Sequence, residues 1–260
     1  MLKQVGWIVL PVMLMAGSAS AAPDCAGPLE IVDAHVVRVE RSNDALVIRD
    51  GRAIHMEGIR IPHSNPDHAP AYIADQAYDA IGTLVRGKTV EVTAVPPKED
   101  RYDRVRGQVF NSDEQWLQMN LLKSGLARVD IAPDRTECAA EYYAAEGAAR
   151  SANLGLWAVP AYRVRAPEAL TGGDTNTFQI VQGKVLTADV KDGRAYLDFG
   201  TDWKTDFTVT ISPPDMANFR ADGIDPRDYA GKTIRVRGII QQFNGPEIEI
   251  ANDKQIEVLP

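Results

Sequence analysis

The stretch "MEGIRIPHSNPD" (residues 56–67) decides how the first half of this chain is read: it is the end of a strand running into a loop. The strand covers residues 53–59. Arg49-Asp50-Gly51-Arg52 separates it from an apolar run at residues 45–48, and Asp-Gly between apolar runs signals a hairpin. Residues 31–39 make a further, Val-rich strand. Downstream, Ile73, Ala77, Ala80, Ile81, Leu84 and Val85 fall on one face of a helix over residues 69–85, which Gly87 ends. The β-branched run 89–95 and residues 105–110 supply two more strands. Residues 116–123 and the Ala-rich run 137–152 read as helices, with Gly125 suited to a C-cap. Three strands, a helix, two strands and two helices make a small β-barrel with helices against it.

At the N-terminus, Lys3, the apolar run 7–15 and Ala19-Ser20-Ala21 have the form of a secretory signal peptide over residues 1–21. A membrane anchor is the competing reading, but the run is short and Pro11 interrupts it. The reading implies a periplasmic or secreted protein with no membrane span after cleavage. Losing Lys3 takes the formal net charge from −8 to −9. So acidic a chain is a poor generic binder of nucleic acid, which needs clustered Lys and Arg. There are two cysteines, Cys25 and Cys138, and in an exported chain an even count favours a disulfide between them. No CxxC suggests zinc.

Residues 22–158 are assigned to the barrel domain. Residues 159–177, with Pro160, Pro167 and Gly172-Gly173, read as a linker. Residues 178–260 form a second, mostly β domain with strands at short spacing, consistent with another small barrel. Its stretch "GKTIRVRGIIQQFNGPEIEIANDKQIEVL" resembles an OB module. The fold class is therefore mainly β with helices (α+β).

Taken in order, "VVRV…DALVIRDGRAIHMEGIRIP", "LVRGKTVEV", "DRYDRVRGQVF", "WLQMNLLKSGLARV" and "CAAEYYAAEGAARSANLGLWA" give residues 31–162 a resemblance to the staphylococcal nuclease (thermonuclease) family. The resemblance implies a five-stranded OB-like barrel with three helices and a hydrolase that cuts nucleic acid. In that family two Arg stabilise the phosphoryl charge, a Glu acts near the attacking water, and two Asp with a backbone carbonyl hold calcium. Aligned without gaps on Gly58-Ile59 and Pro62, His55 takes the first Arg position, Arg60 a calcium Asp, Ile61 the carbonyl donor and His63 the Glu. Asp44 keeps the other acidic position. Arg104 keeps the second Arg, with Asp103 replacing the preceding Gly.

These substitutions oppose the family chemistry. Calcium needs several oxygens and compensating negative charge, whereas Arg60 brings a positive one. At about 4 Å and an effective dielectric of about 20, each unit-charge pair repels by about 4 kcal/mol. His55 lacks the guanidinium fork that grips phosphate. The expectation is a degenerate site at His55, His63 and Arg104, with no cofactor. Its ligand is expected to be single-stranded nucleic acid or an envelope protein. The rival is an active phosphodiesterase, with calcium as its cofactor. A shifted register that matches "NPD" to the family's Thr-Pro-Glu makes Asp67 an alternative base.

Three further ideas are open in the sequence. His55, His63 and His68 could approach one another around a transition metal, or be ordinary loop and strand residues. Tyr196, Phe199, Trp203, Phe207 and Phe243 could stack bases or pack a core. Arg235 and Arg237 could form a phosphate stripe or a solvated face.

Overall fold

The computed structural model describes residues 22–202 and 204–260. Residues 1–21, where a signal peptide is expected, and Trp203 lie outside the described residues. Strands β1 (Leu29–Glu40), β2 (Ala45–Ile48), β3 (Ala53–Met56), β5 (Thr89–Thr93) and β6 (Val105–Asn111) close a barrel in the order β1-β2-β3-β6-β5. All its ladders are antiparallel except β3 with β6. The interior is apolar, with Leu46, Ile54, Val90, Val92 and Val109 at 0% exposure.

Helix α2 (Ala71–Val85) lays Ile73, Ala77, Tyr78, Ile81 and Val85 on the core, the face expected from its periodicity. It begins two residues late because Ala69 precedes a proline, which disfavours helical geometry there, and Pro70 itself has ψ 134°. Helices α3 (Leu117–Lys123) and α4 (Ala139–Ser151) pack on the same barrel. Cys138 opens α4 and is bonded to Cys25, with their Cα atoms 5.1 Å apart.

The single strand expected over residues 53–59 is two strands. Gly58 has φ +83° and lies against the Tyr142 ring, which a Cβ there would meet at 2.4 Å. The chain turns at this point and resumes as β4 (Ile59–Arg60), paired with β7 (Arg128–Val129) outside the barrel. A one-turn helix α1 (Ser64–Asp67) follows.

The second unit contains β8 (Phe178–Lys184), β9 (Thr187–Lys191), β10 (Arg194–Asp198), β11 (Thr208–Ile211), α5 (Met216–Ala221), β12 (Thr233–Ile239), β13 (Gln241–Phe243), β14 (Gly245–Ile250) and β15 (Ile256–Val258). Its ladders form two sheets, β13-β14-β11-β10-β9 and β15-β12-β8. β8 and β9 are consecutive, as are β12 and β13, so each pair is one long strand bent between the sheets. Counted that way, strand one pairs with two, two with three, three in parallel with five, five with four, and four with one. This is the connectivity of the first barrel. Val185, Leu197, Val209, Ile234 and Ile248 fill its core.

Residues 159–177 carry three short 3-10 turns. They are bonded along much of their length: Arg165 exchanges backbone hydrogen bonds with β8, and Asn176 donates to Ile240 O. Ile73 of α2, Ala149 of α4, Trp157, Tyr162, and Phe178 and Ile180 of β8 share one apolar cluster. The two units therefore meet across a packed seam. Among the described residues no helix is long and apolar enough to cross a membrane.

Candidate functional site

The barrel positions that the resemblance singled out lie at one end of β2, β3 and β6. Asp44 ends the β1–β2 turn with φ +55°. Its carboxylate accepts from the Tyr78 hydroxyl of α2 and lies 3.0 Å, through each oxygen, from His63 Nε2. That contact raises the His63 pKa, against the opposing effect of burial. A carboxylate and an imidazole thus face each other at the positions where the resemblance implied a calcium acid and a catalytic Glu.

His55 stands on β3 between Ala45 and Arg106. Burial lowers its pKa, which favours the neutral ring. Its Nδ1 is buried without a hydrogen-bond partner. Arg104 is committed to its own loop. Its Nε donates to Asp100 at 2.7 Å and its Nη1 to Asn43 O at 2.6 Å. Asp100 also accepts the backbone N–H groups of Tyr102 and Arg104, closing the turn. Asp103 holds φ +58° there, the left-handed conformation that Gly adopts freely and Asp tolerates.

Arg60 does not point a free charge at the site. It pairs with Asp130 at 3.2 Å and lies over the Phe178 ring of the second unit at 5.0 Å. Between the units is a cleft of about 420 Å³, walled by Asp44, His55, Glu57, Arg60 and Asp130 on one side and by Phe178, Ile239, Gln241 and Glu249 on the other. A second hollow of about 590 Å³ lies against Asn43, Asp44, Ala53, His55, Tyr102 and Arg104. Asp44 and His55 line both.

Asp67 is corrected from an alternative base to a structural acid. It is 6% exposed and accepts from Arg128 Nη2 at 2.9 Å through each oxygen, from Tyr162 Oη at 3.0 Å and from the His63 backbone N–H at 3.0 Å. Oδ2 takes three of these bonds and Oδ1 one, and the group is buried in an ion pair with Arg128 instead of facing the cleft.

The phosphate stripe is corrected in the same way. Arg237 is 1% exposed and donates to both Glu146 oxygens at 3.0 and 2.9 Å, to Val129 O at 3.1 Å and to Glu257. Arg235 bonds Glu257 and Gln182. Their alternation on β12 directs both to carboxylates, and Arg237 reaches across the seam to α4. The stacking platform does not assemble from the described aromatics, since Phe207 is buried against Phe199 while Phe243 is 72% exposed. His68 caps α1 at φ +51° and is exposed. Among the described residues the histidines form no cluster with metal-ligand spacing. The one such group among the described residues is Cys25, Cys138 and Glu141, and its two sulfurs are spent in the disulfide.

Sequence reasoning missed a buried pair beneath the cleft. Arg106 binds Glu57 through Nε at 2.8 Å and Nη2 at 3.2 Å, and Asp134 at 2.8 and 2.9 Å. The signal was available: Glu57 is an acid between the apolar Met56 and Ile59, and a charge there needs a partner. Tyr78, Asp130 and Phe178 were missed too, because their partners are remote in sequence.

Residues 53–159 match the family model described as staphylococcal nuclease homologue. No curated protein matches the chain. The matched span runs from β3 through α4 and holds His55, Arg60, His63, Asp67 and Arg104, so the motif order, the closed barrel and the match agree. Over residues 53–159 this chain is therefore similar to the staphylococcal nuclease homologues, as one domain within it.

Proposed function

We propose that this is an exported binding protein that keeps the nuclease barrel without its catalysis, and that its partner is an envelope protein rather than nucleic acid. One observation carries the reading: each cation at the family site is already neutralised within the chain. Arg60 is held by Asp130, Arg104 by Asp100 and His63 by Asp44. A phosphate arriving there must displace an internal carboxylate, and an acidic chain offers little long-range attraction in return. The donor set also does not fit calcium. Asp44 is the only acid left at the family's metal positions, and it already faces an imidazole and a phenol. Export is supported by the N-terminal pattern and the Cys25–Cys138 bond. The test is an anisotropy titration of labelled single-stranded DNA and RNA at about 50 and 200 mM salt, beside cross-linking in the envelope fraction. The reading expects no saturable nucleic-acid binding and a discrete protein adduct. Tight, salt-sensitive binding that Arg104→Ala abolishes would replace it with a nucleic-acid ligand.

A second reading rests on the Asp44–His63 contact. An imidazole oriented by a carboxylate is the arrangement of a general base, and Arg104 shares a hollow with Asp44. That reading requires metal-independent phosphodiester cleavage that His63→Ala removes.

A further inference from the structure

We propose that Arg60 is one jaw of a latch that holds the second unit closed over the barrel mouth, with the Phe178 ring as its catch. This goes beyond the binding reading and does not depend on which ligand the protein takes. Phe178 opens β8, so it belongs to the second unit, yet its ring has two guanidinium groups of the first unit near it: Arg60 at 5.0 Å and Arg128 at 4.9 Å from the centroid. It is 3% exposed. A planar guanidinium on an aromatic face gains both electrostatic and stacking contact, more so when water is excluded.

Both jaws are braced from behind. Asp130 holds Arg60 at 3.2 Å, and Asp67 grips Arg128 through both oxygens at 2.9 Å. Arg128 also donates to the Phe178 carbonyl at 2.9 Å, which fixes the catch by its backbone as well as its ring. Asp67 in turn accepts the His63 N–H. The loop that carries a catalytic set in the resembling family is therefore clasped around a residue of the other unit. Arg60 and Phe178 both line the cleft, so the latch forms part of the wall between the barrel mouth and the second unit.

The test is hydrogen exchange on the full chain, comparing wild type with Arg60→Asp, Arg60→Gln, Phe178→Leu and the Arg60→Gln/Phe178→Leu pair. Arg60→Asp sets a carboxylate beside Asp130 and against the ring face. The amides of residues 59–67 and 178–182 should then exchange about tenfold faster, while β5 and β10 stay unchanged as reporters of folding. Arg60→Gln should show the same pattern more weakly, and it covers the case in which the charge reversal disturbs the whole fold. The double variant should exchange no faster than its faster single parent, since Phe178→Leu already removes the contact that Arg60→Gln breaks. Unchanged exchange at residues 178–182 in Arg60→Asp or Arg60→Gln, with β5 intact, would overturn the latch. So would additive effects in the double variant.

Discussion

Replacing Arg237 with Ala should destabilise the protein by about 3 kcal/mol through an ion pair that crosses the seam. The magnitude follows from the contacts. Arg237 and Glu146 are each 1% exposed in their side chains, and the guanidinium also lies 4.4 Å over the Tyr143 ring. Removing one partner of a buried pair typically costs about 3–5 kcal/mol, because the other charge stays buried. Glu146 keeps two contacts after the truncation, the Val129 N–H at 2.8 Å and Arg150 at 3.1 Å. These place the cost at the lower end of the range. For a chain of this size that is a fall of roughly 6–12 °C in Tm. The assay is thermal and urea unfolding of the purified protein. The paired substitution Arg237→Met with Glu146→Leu removes both charges, so it should cost less than the sum of its single parents. It still leaves the Val129 N–H unpaired, at about 1–3 kcal/mol. A Tm change below about 2 °C for Arg237→Ala, together with lost affinity for a polyanion, would refute the seam and return Arg237 to the surface.

Four further outcomes are expected. The Cys25–Cys138 bond closes a loop of sequence separation 113, and reducing it should cost about 2–5 kcal/mol; two titratable thiols in unfolded, unreduced protein would contradict it. His63 has a raised pKa, so the stability from its pairing with Asp44 is full below about pH 6.5 and lost as pH rises through the raised value. His55 has a lowered pKa, so the fold loses stability as pH falls below about 6.5. In Tm profiles from about pH 5 to 9, His63→Gln should flatten the alkaline side and His55→Gln the acid side. Residues 159–177, tied down by their backbone bonds, should resist limited proteolysis until the seam opens; cutting there as fast as in an unfolded control would show a free tether.

The barrel was legible because its signals are local. Alternation and β-branching marked the strands, the Asp50-Gly51 turn marked the hairpin, and the periodicity of residues 73–85 marked α2. Gly58 was quoted in the deciding stretch but not read as a break, since the ring that demands it, Tyr142, lies 84 residues on. The site was legible only as a set of substitutions. What those side chains do instead depends on partners at a distance: Arg128 and Asp67 are 61 residues apart, and Arg237 and Glu146 are 91 apart. No periodicity encodes such pairings. Alternation on β12 rightly put Arg235 and Arg237 on one face, but it could not say that this face meets α4 instead of water. The bends that split β8 from β9 and β12 from β13 are why the second unit shows as two sheets with the connectivity of one barrel.

The most direct test of the central claim is a cleavage assay on single-stranded DNA and RNA, run with the purified protein in calcium, in zinc and in chelator, beside Arg104→Ala and His63→Ala. Losing one group that stabilises the transition state typically costs about 10²–10³ in rate. On the gap-free alignment one Arg of the clamp, one metal acid and the Glu position are substituted, although such losses do not simply add. The account predicts no cleavage above background and no response to calcium. Robust wild-type cleavage that Arg104→Ala abolishes would contradict it, and cleavage that persists in chelator and vanishes in His63→Ala would hand the site to the Asp44–His63 pair.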